Sequence, residues 1–203
     1  VEKAVSYGLM NGYSQDRFGY SDAMTRAQFV VVLTRMMGWQ TPSDEETAAS
    51  ITAAMALPKN LSSQYRSAIA CAAAHDVIEK TEPFRPNSPA TRAEMAELLV
   101  RALGLKACAV DAEKENSLPF TDVSDKKGYI AVAYEIGMTK GLTDTTFAPD
   151  RTATRAQAAA SGLAYLALGH IHTQGQMEAG STLCAWPGCP MGRGFDETGV
   201  DRK

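Results

Sequence analysis

Apolar residues in this chain fall at helical spacing in short bursts, each preceded by polar punctuation. Phe29, Val32, Leu33 and Met36 form one stripe, and Met95, Leu98, Leu99 and Ala102 form another. This is the i, i+3, i+4, i+7 pattern of an amphipathic helix. Shorter apolar helical segments lie upstream at Ala68 to His75 and Ile130 to Ile136, and Val1 to Tyr7 reads as the end of a third. Ahead of each main stripe stands Thr-x-x-Gln or Thr-x-x-Glu: Thr25 with Gln28, Thr91 with Glu94, and Thr154 with Gln157. In such a capping box the Thr hydroxyl accepts from the amide three residues on, and the Gln or Glu side chain reaches back. Helices are therefore expected to begin near Thr25, Thr91 and Thr154, with Gly38 and Gly104 as C-terminal stops.

These boxes belong to a larger repeat. Thr25-Arg26-Ala27-Gln28 recurs as Thr91-Arg92-Ala93-Glu94 and Thr154-Arg155-Ala156-Gln157, at offsets of 66 and 63 residues. Seven residues before each Thr stands a Phe, at Phe18, Phe84 and Phe147. Before that Phe lies a turn, Gly8 to Gly12 in the first copy and Gly137 to Gly141 in the third. The second copy, Asp76 to Lys80, keeps the apolar pair but has neither glycine, and its following loop is two residues shorter. Each unit reads as helix, turn, loop with a buried Phe, then capped helix. A unit of this size cannot bury its own apolar faces, so three should pack together. The expected layout is repeats at 1–40, 61–106 and 118–160, with polar linkers at 41–60 and 107–117. Ala48 to Leu57 is a candidate extra short helix in the first linker.

Composition narrows the class. Of 203 residues, 45% are hydrophobic and 21% charged, the balance of an ordinary globular chain rather than a disordered one. A formal net charge of −3 provides no basic field for nucleic acid. Apolar runs such as Phe29 to Leu33 and Leu163 to Leu168 are too short for membrane insertion. Because Val1 already reads as mid-helix, the chain is expected to be a piece of a longer one. The four cysteines, Cys71, Cys108, Cys184 and Cys189, fit no zinc spacing. They read as free thiols, with Cys184 and Cys189 the only pair close enough in sequence for a local bridge.

Phe120-Thr121-Asp122-Val123, the helix through Ile136, Gly137 to Gly141, Phe147-Ala148-Pro149 and Thr154 to Gln157 stand in an order that resembles the S-layer homology family. The other two copies resemble it as well, so the likeness covers roughly residues 1–160. The first copy has no Phe-x-Asp-Val start, and the second has no clear equivalent. The resemblance implies a mainly α fold, three repeats in a pseudo-three-fold bundle, and a non-catalytic anchoring role at the bacterial cell surface. It further implies that grooves between repeats receive an acidic or pyruvylated secondary cell-wall polysaccharide. By position Arg26, Arg92 and Arg155 match the family's basic residue, and a guanidinium fork suits a carboxylated sugar. The helix N-terminus beneath each Arg would add amides and a positive dipole end for the same anion. Gly12 and Gly141 would let the sugar approach the backbone, or serve the turn alone. Because the second copy lacks turn glycines, the groove of Arg92 is expected to matter least. Asp122 is expected to cap a helix.

After Ala160 the pattern changes. Gly169-His170-Ile171-His172, with Trp186-Pro187-Gly188 and Gly192 to Glu197 beyond it, resembles the end of a calcineurin-like metallophosphoesterase of the DNA-repair exonuclease type. The resemblance implies that His170 and His172 are metal ligands of a two-metal site. The family's Asp-x-His, Gly-Asp-x-x-Asp and Asn-His-Asp/Glu motifs do not occur, so the stretch is read as a non-catalytic remnant with no resident cofactor. Leu163 to Leu168 is expected to extend the helix from Thr154, and the chain beyond His172 to be irregular. Three classes remain in view: a glycan-binding anchor, which the repeats favour, a phosphoesterase fragment fused to helical repeats, and a purely structural helical module.

Overall fold

The structure is a computed structural model describing residues 2–6, 8–14, 16–42, 45–81, 83–115, 118–160, 175–179 and 182–186. The helices in chain order are α1 (Glu2–Ser6), α2 (Arg26–Met36), α3 (Glu45–Thr52), α4 (Ser63–Ala74), α5 (Arg92–Ala102), α6 (Lys106–Glu115), α7 (Lys127–Glu135) and α8 (Arg155–Ala160). A short 3₁₀ turn, Ala53–Met55, follows α3. The three capped helices start where the boxes place them. The Thr25 hydroxyl accepts from the Gln28 amide at 3.3 Å while Gln28 accepts from the Thr25 amide at 3.1 Å. Thr91 with Glu94 and Thr154 with Gln157 do the same.

The stops also behave as the sequence suggests. Gly38 and Gly104 take φ of 63° and 73°, and the amides of each glycine and of the following residue return to the last turn of the helix. The same double closure ends α1 at Gly8, α7 at Gly137 and α4 at Asp76. Asp76, with φ of 57°, therefore does the work of the glycine it replaces. Asp tolerates this left-handed conformation better than most side chains, so the second turn survives its missing glycine.

The repeats are joined head to tail in a ring. The Met24 amide donates to the Ala153 carbonyl at 2.9 Å, Ala153 to Ala90 at 3.2 Å, and Ala90 back to Met24 at 2.8 Å. All three residues are buried and each directly precedes a capping Thr. This closed triangle is the centre of the pseudo-three-fold bundle. Around it, α2 packs on α4 and α5 on α7, so the first helix of a repeat lies against the capped helix of the repeat before it. Phe29, Leu33, Ile69, Ile130 and Phe147 are fully buried in the resulting core, each contributing roughly 1.5–3 kcal/mol relative to exposure.

Both expected linkers contain helices. In the first, α3 packs on α4 and partly overlaps the Ala48 to Leu57 segment. The second differs more from expectation, because α6 runs through most of 107–117 and packs on α7. A Cβ on Gly128 of α7 would collide with the Ala109 carbonyl of α6. A pair of small residues lets the two backbones touch. Residues 161–174, where helix extension was expected, lie outside those described. Within the tail, Gly175–Ala179 (β1) and Thr182–Trp186 (β2) form an antiparallel pair, which departs locally from an irregular tail.

Candidate functional site

The three motif arginines occupy equivalent places, and each faces the next repeat rather than its own. The Arg26 and Ala27 amides donate to the Ser88 and Pro86 carbonyls of repeat two. Those of Arg92 and Ala93 donate to Arg151 and Pro149 of repeat three, and those of Arg155 and Ala156 to Asp22 and Tyr20 of repeat one. The third amide of each helix is taken by the capping Thr. These helix N-termini are therefore filled by the protein's own carbonyls, which overturns the expectation that they add amides to an anion site.

The guanidinium groups follow the same circuit. Arg155 donates from Nε to the Phe18 carbonyl at 2.9 Å and from Nη2 to Asn11 at 2.6 Å. Arg92 donates from Nε to the Phe147 carbonyl at 2.9 Å and from Nη2 to Lys140 at 2.5 Å. Each cation also sits over the motif Phe of the next repeat, at 5.0 Å for Arg26 on Phe84, 4.4 Å for Arg92 on Phe147 and 4.9 Å for Arg155 on Phe18. Burial pulls the Arg92 pKa below its ordinary value, and the charge of Arg151 adds to this. The turn lacking glycines thus faces Arg26, not Arg92, because a capped helix docks on the following repeat. Arg92 meets the Gly137 to Gly141 turn.

Gly12 and Gly141 are explained by the turns they begin. A Cβ at Gly12 would stand 2.7 Å from the Ser14 carbonyl oxygen and 2.9 Å from that of Arg17. One at Gly141 would strike the Thr143 carbonyl and the Phe120 ring. The missing side chain makes room for the loop's own oxygens. Asp122 caps no helix. Its carboxylate accepts from the amides of Phe147 and Ala148 at 2.8 and 2.7 Å, stapling the start of repeat three to its Phe loop. Those two hydrogen bonds hold its pKa below the usual carboxylate range, and the charge of Arg92 contributes.

Two grooves of matched construction lie beside these contacts. The first is framed by the Leu9 to Tyr13 turn, α2, the start of α4 and Arg155 of repeat three. The second is framed by the Val77 to Glu79 turn, α5, Lys126 and Arg26 of repeat one. Their charges differ sharply. Among the described residues, Arg35 and Arg155 are the charged ones of the first groove, and no acid lines it. In the second, Arg26 pairs with Glu94 at 3.5 Å, Arg101 with Glu79 at 2.6 Å and Glu97 at 2.9 Å, and Lys126 with Glu97 at 2.5 Å. Arg35, which the repeat alignment pairs with Arg101, is the residue motif reading overlooked. It stands ten residues after the capping Thr25, beyond the Thr-Arg-Ala signature.

Comparison with known proteins matches the profile of the S-layer homology domain at residues 1–30, 59–96 and 119–159, more than half of the chain. The chain belongs to the S-layer homology family. Domains of this family are non-catalytic modules that bind cell-wall polymers and anchor proteins to the bacterial cell wall. The chain is 32% identical over 161 residues to an endoglucanase of Bacillus sp. (strain KSM-635), covering 74% of this chain and 16% of that protein. It is 26% identical to exoglucanase XynX of Acetivibrio thermocellus and 27% identical to an amylopullulanase of Thermoanaerobacterium thermosulfurigenes, each over 168 residues and 79% of this chain. It spans 14% of the exoglucanase and 8% of the amylopullulanase, so this S-layer homology region is a small share of the relatives it matches.

Nothing in these comparisons supports the metallophosphoesterase resemblance of the tail. His170 and His172 lie outside the described residues, as does Cys189. Among the described residues no cluster of three or more His, Cys, Asp or Glu could hold a metal. Cys71 is a buried free thiol and Cys108 an exposed one.

Proposed function

We propose that this S-layer homology module holds a parent protein to the wall by binding an acidic, for instance pyruvylated, secondary polysaccharide in the groove between Arg35 and Arg155. The observation that carries this reading is the charge of that groove: two guanidinium groups and no carboxylate among its described lining residues. A sugar carboxylate there meets cations not already neutralised by an ion pair, and charge-assisted hydrogen bonds are the strong ones. The second groove offers an acidic sugar three carboxylates alongside its cations, a poorer host. Arg26, Arg92 and Arg155 act first as clamps between repeats, and only Arg155 also lines the electropositive groove. Catalysis, where the relatives perform it, belongs to other parts of those chains.

Sedimentation with purified cell walls tests the reading, before and after removal of the acidic secondary polymer. Binding should be lost on removal, should weaken as salt rises, and should fall roughly ten- to a hundredfold in Arg35→Ala, the effect of one charge-assisted contact. Undiminished binding to stripped walls would reject it.

A further inference from the structure

The groove between Arg35 and Arg155 continues beyond Arg35. Val31, Arg35 and Gln64 also line a second cavity between α2 and α4, which runs on to Trp39, Thr41 and Ser67. The first cavity, about 200 Å³, is smaller than the roughly 300–1,000 Å³ of typical small-ligand sites, whereas the second, about 380 Å³, lies inside that range. Trp39 is half-buried, and its ring stacks on His75 with centroids 4.0 Å apart and planes 5° from parallel, which holds the indole in place. The side chains of Thr41, Ser63, Ser67 and Gln64 stand around it, and among the described residues Arg35 is the sole charged one of the lining.

A fixed aromatic ring beside hydroxyl and amide groups, with no acid among the described lining residues, fits an uncharged pyranose. The sugar's C–H face covers apolar ring surface while its hydroxyls find donors and acceptors. We propose that this cavity is a second saccharide subsite, taking the uncharged sugar next to the acidic one, with Trp39 as its platform and Arg35 shared between the two. The proposal rests on the Arg35–Arg155 groove being the acidic-sugar site. It makes the recognised unit an acidic sugar linked to a neutral one, rather than an acidic sugar alone. The second groove cannot copy this, because Leu105 stands where Trp39 does, directly after the stop glycine Gly104.

Calorimetry with three synthetic glycosides tests it: a 4,6-pyruvylated N-acetylhexosamine, and that sugar carrying an uncharged hexosamine on its reducing or its non-reducing side. One disaccharide should bind at least about tenfold more tightly than the monosaccharide. Trp39→Ala should reduce its affinity to the monosaccharide's and leave the monosaccharide unaffected. Because Trp39 also packs against the core, Ser63→Phe serves as a second variant that fills the rim without removing the indole, and should act alike. In a Trp186→Phe background the remaining Trp39 fluorescence should shift with that disaccharide and not with the monosaccharide. Equal binding of all three glycosides by the parent overturns the subsite and leaves the Arg35–Arg155 reading intact. Failure of all three to bind overturns both.

Discussion

Nη2 of Arg155 donates to the Asn11 carbonyl at 2.6 Å, a contact spanning 144 residues that fastens the third repeat onto the first. Arg155 is 5% exposed and its Nε holds the Phe18 carbonyl as well. Arg35, by contrast, makes only long contacts among the described residues, to the Gly8 and Leu9 carbonyls at 3.5 and 3.3 Å. A cation spent on holding two repeats together and one that is only loosely held therefore border one groove.

That division separates two variants. Arg155→Ala leaves two carbonyls without their donors and removes a cation from the Phe18 and Tyr13 rings, at a cost of about 2–4 kcal/mol. Thermal melting should show this directly. Arg35→Ala should melt within a degree or two of the parent while losing wall binding. Equal melting losses in the two variants would contradict the assignment.

Asp122 sets a pH dependence. Its folded pKa is depressed, first by the Phe147 and Ala148 amides and then by Arg92. Its stabilisation is therefore complete above the unfolded carboxyl value, about 3.9, and is lost as pH falls through the folded one. Asp122→Asn should lower the melting temperature at pH 7, since an amide group presents a donor to one of the two main-chain donors. The gap between parent and variant should close below about pH 4. A gap independent of pH would mean that the charge is not what matters.

The capped helices, the stops and the ring of three repeats were legible because each has a local signature in residue type. Thr and Gln or Glu three apart can do little else before an apolar stripe. The helix α6 was not, since Asp111 to Glu115 looks like a solvated charged linker. Its only buried residue is Ala109, too small to register as a stripe, and its partner is the bare backbone of Gly128. The direction of docking was also hidden. Nothing in Thr91-Arg92 says whether the arginine meets its own turn or the next, because that is decided by how the ring closes. The residue after each motif Phe carries a similar hidden regularity. Gly19, Arg85 and Ala148 share φ values of 76°, 51° and 56°, although only the first is a glycine.

Ala148→Gly follows from that regularity. An L-residue in the left-handed region costs about 1–2 kcal/mol, and glycine returns roughly half of the gain through its greater freedom in the unfolded chain. Ala148→Gly should stabilise the module by up to about 1 kcal/mol in urea unfolding, with the Asp122 contact to the main-chain amide retained. Destabilisation would show that the loop does not require this conformation.

Exchanging the charges of the two grooves tests whether electrostatics select between them. Val31 and Asn11 in the first groove stand where Glu97 and Glu79 stand in the second. Val31→Glu should place a carboxylate beside Arg35 as Glu97 lies beside Arg101, which it meets at 2.9 Å. The new pair neutralises the cation a sugar carboxylate requires, so acidic-glycan affinity should fall roughly ten- to a hundredfold. Because Val31 is buried, some melting temperature is lost too, and binding is compared well below the variant's own midpoint. The reverse pair, Glu79→Asn with Glu97→Val, removes both acids that hold Arg101 and leaves its guanidinium facing a groove where Glu94 still neutralises Arg26. Titration of this variant with the pyruvylated monosaccharide should reveal a second, weaker site that the parent lacks. Adding Glu94→Gln should strengthen that site further, because Gln28 is the first groove's residue at this position and still completes a capping box. If Val31→Glu binds like the parent, or the triple variant gains no site, the sign of the groove charge is not the determinant of which groove holds the polymer.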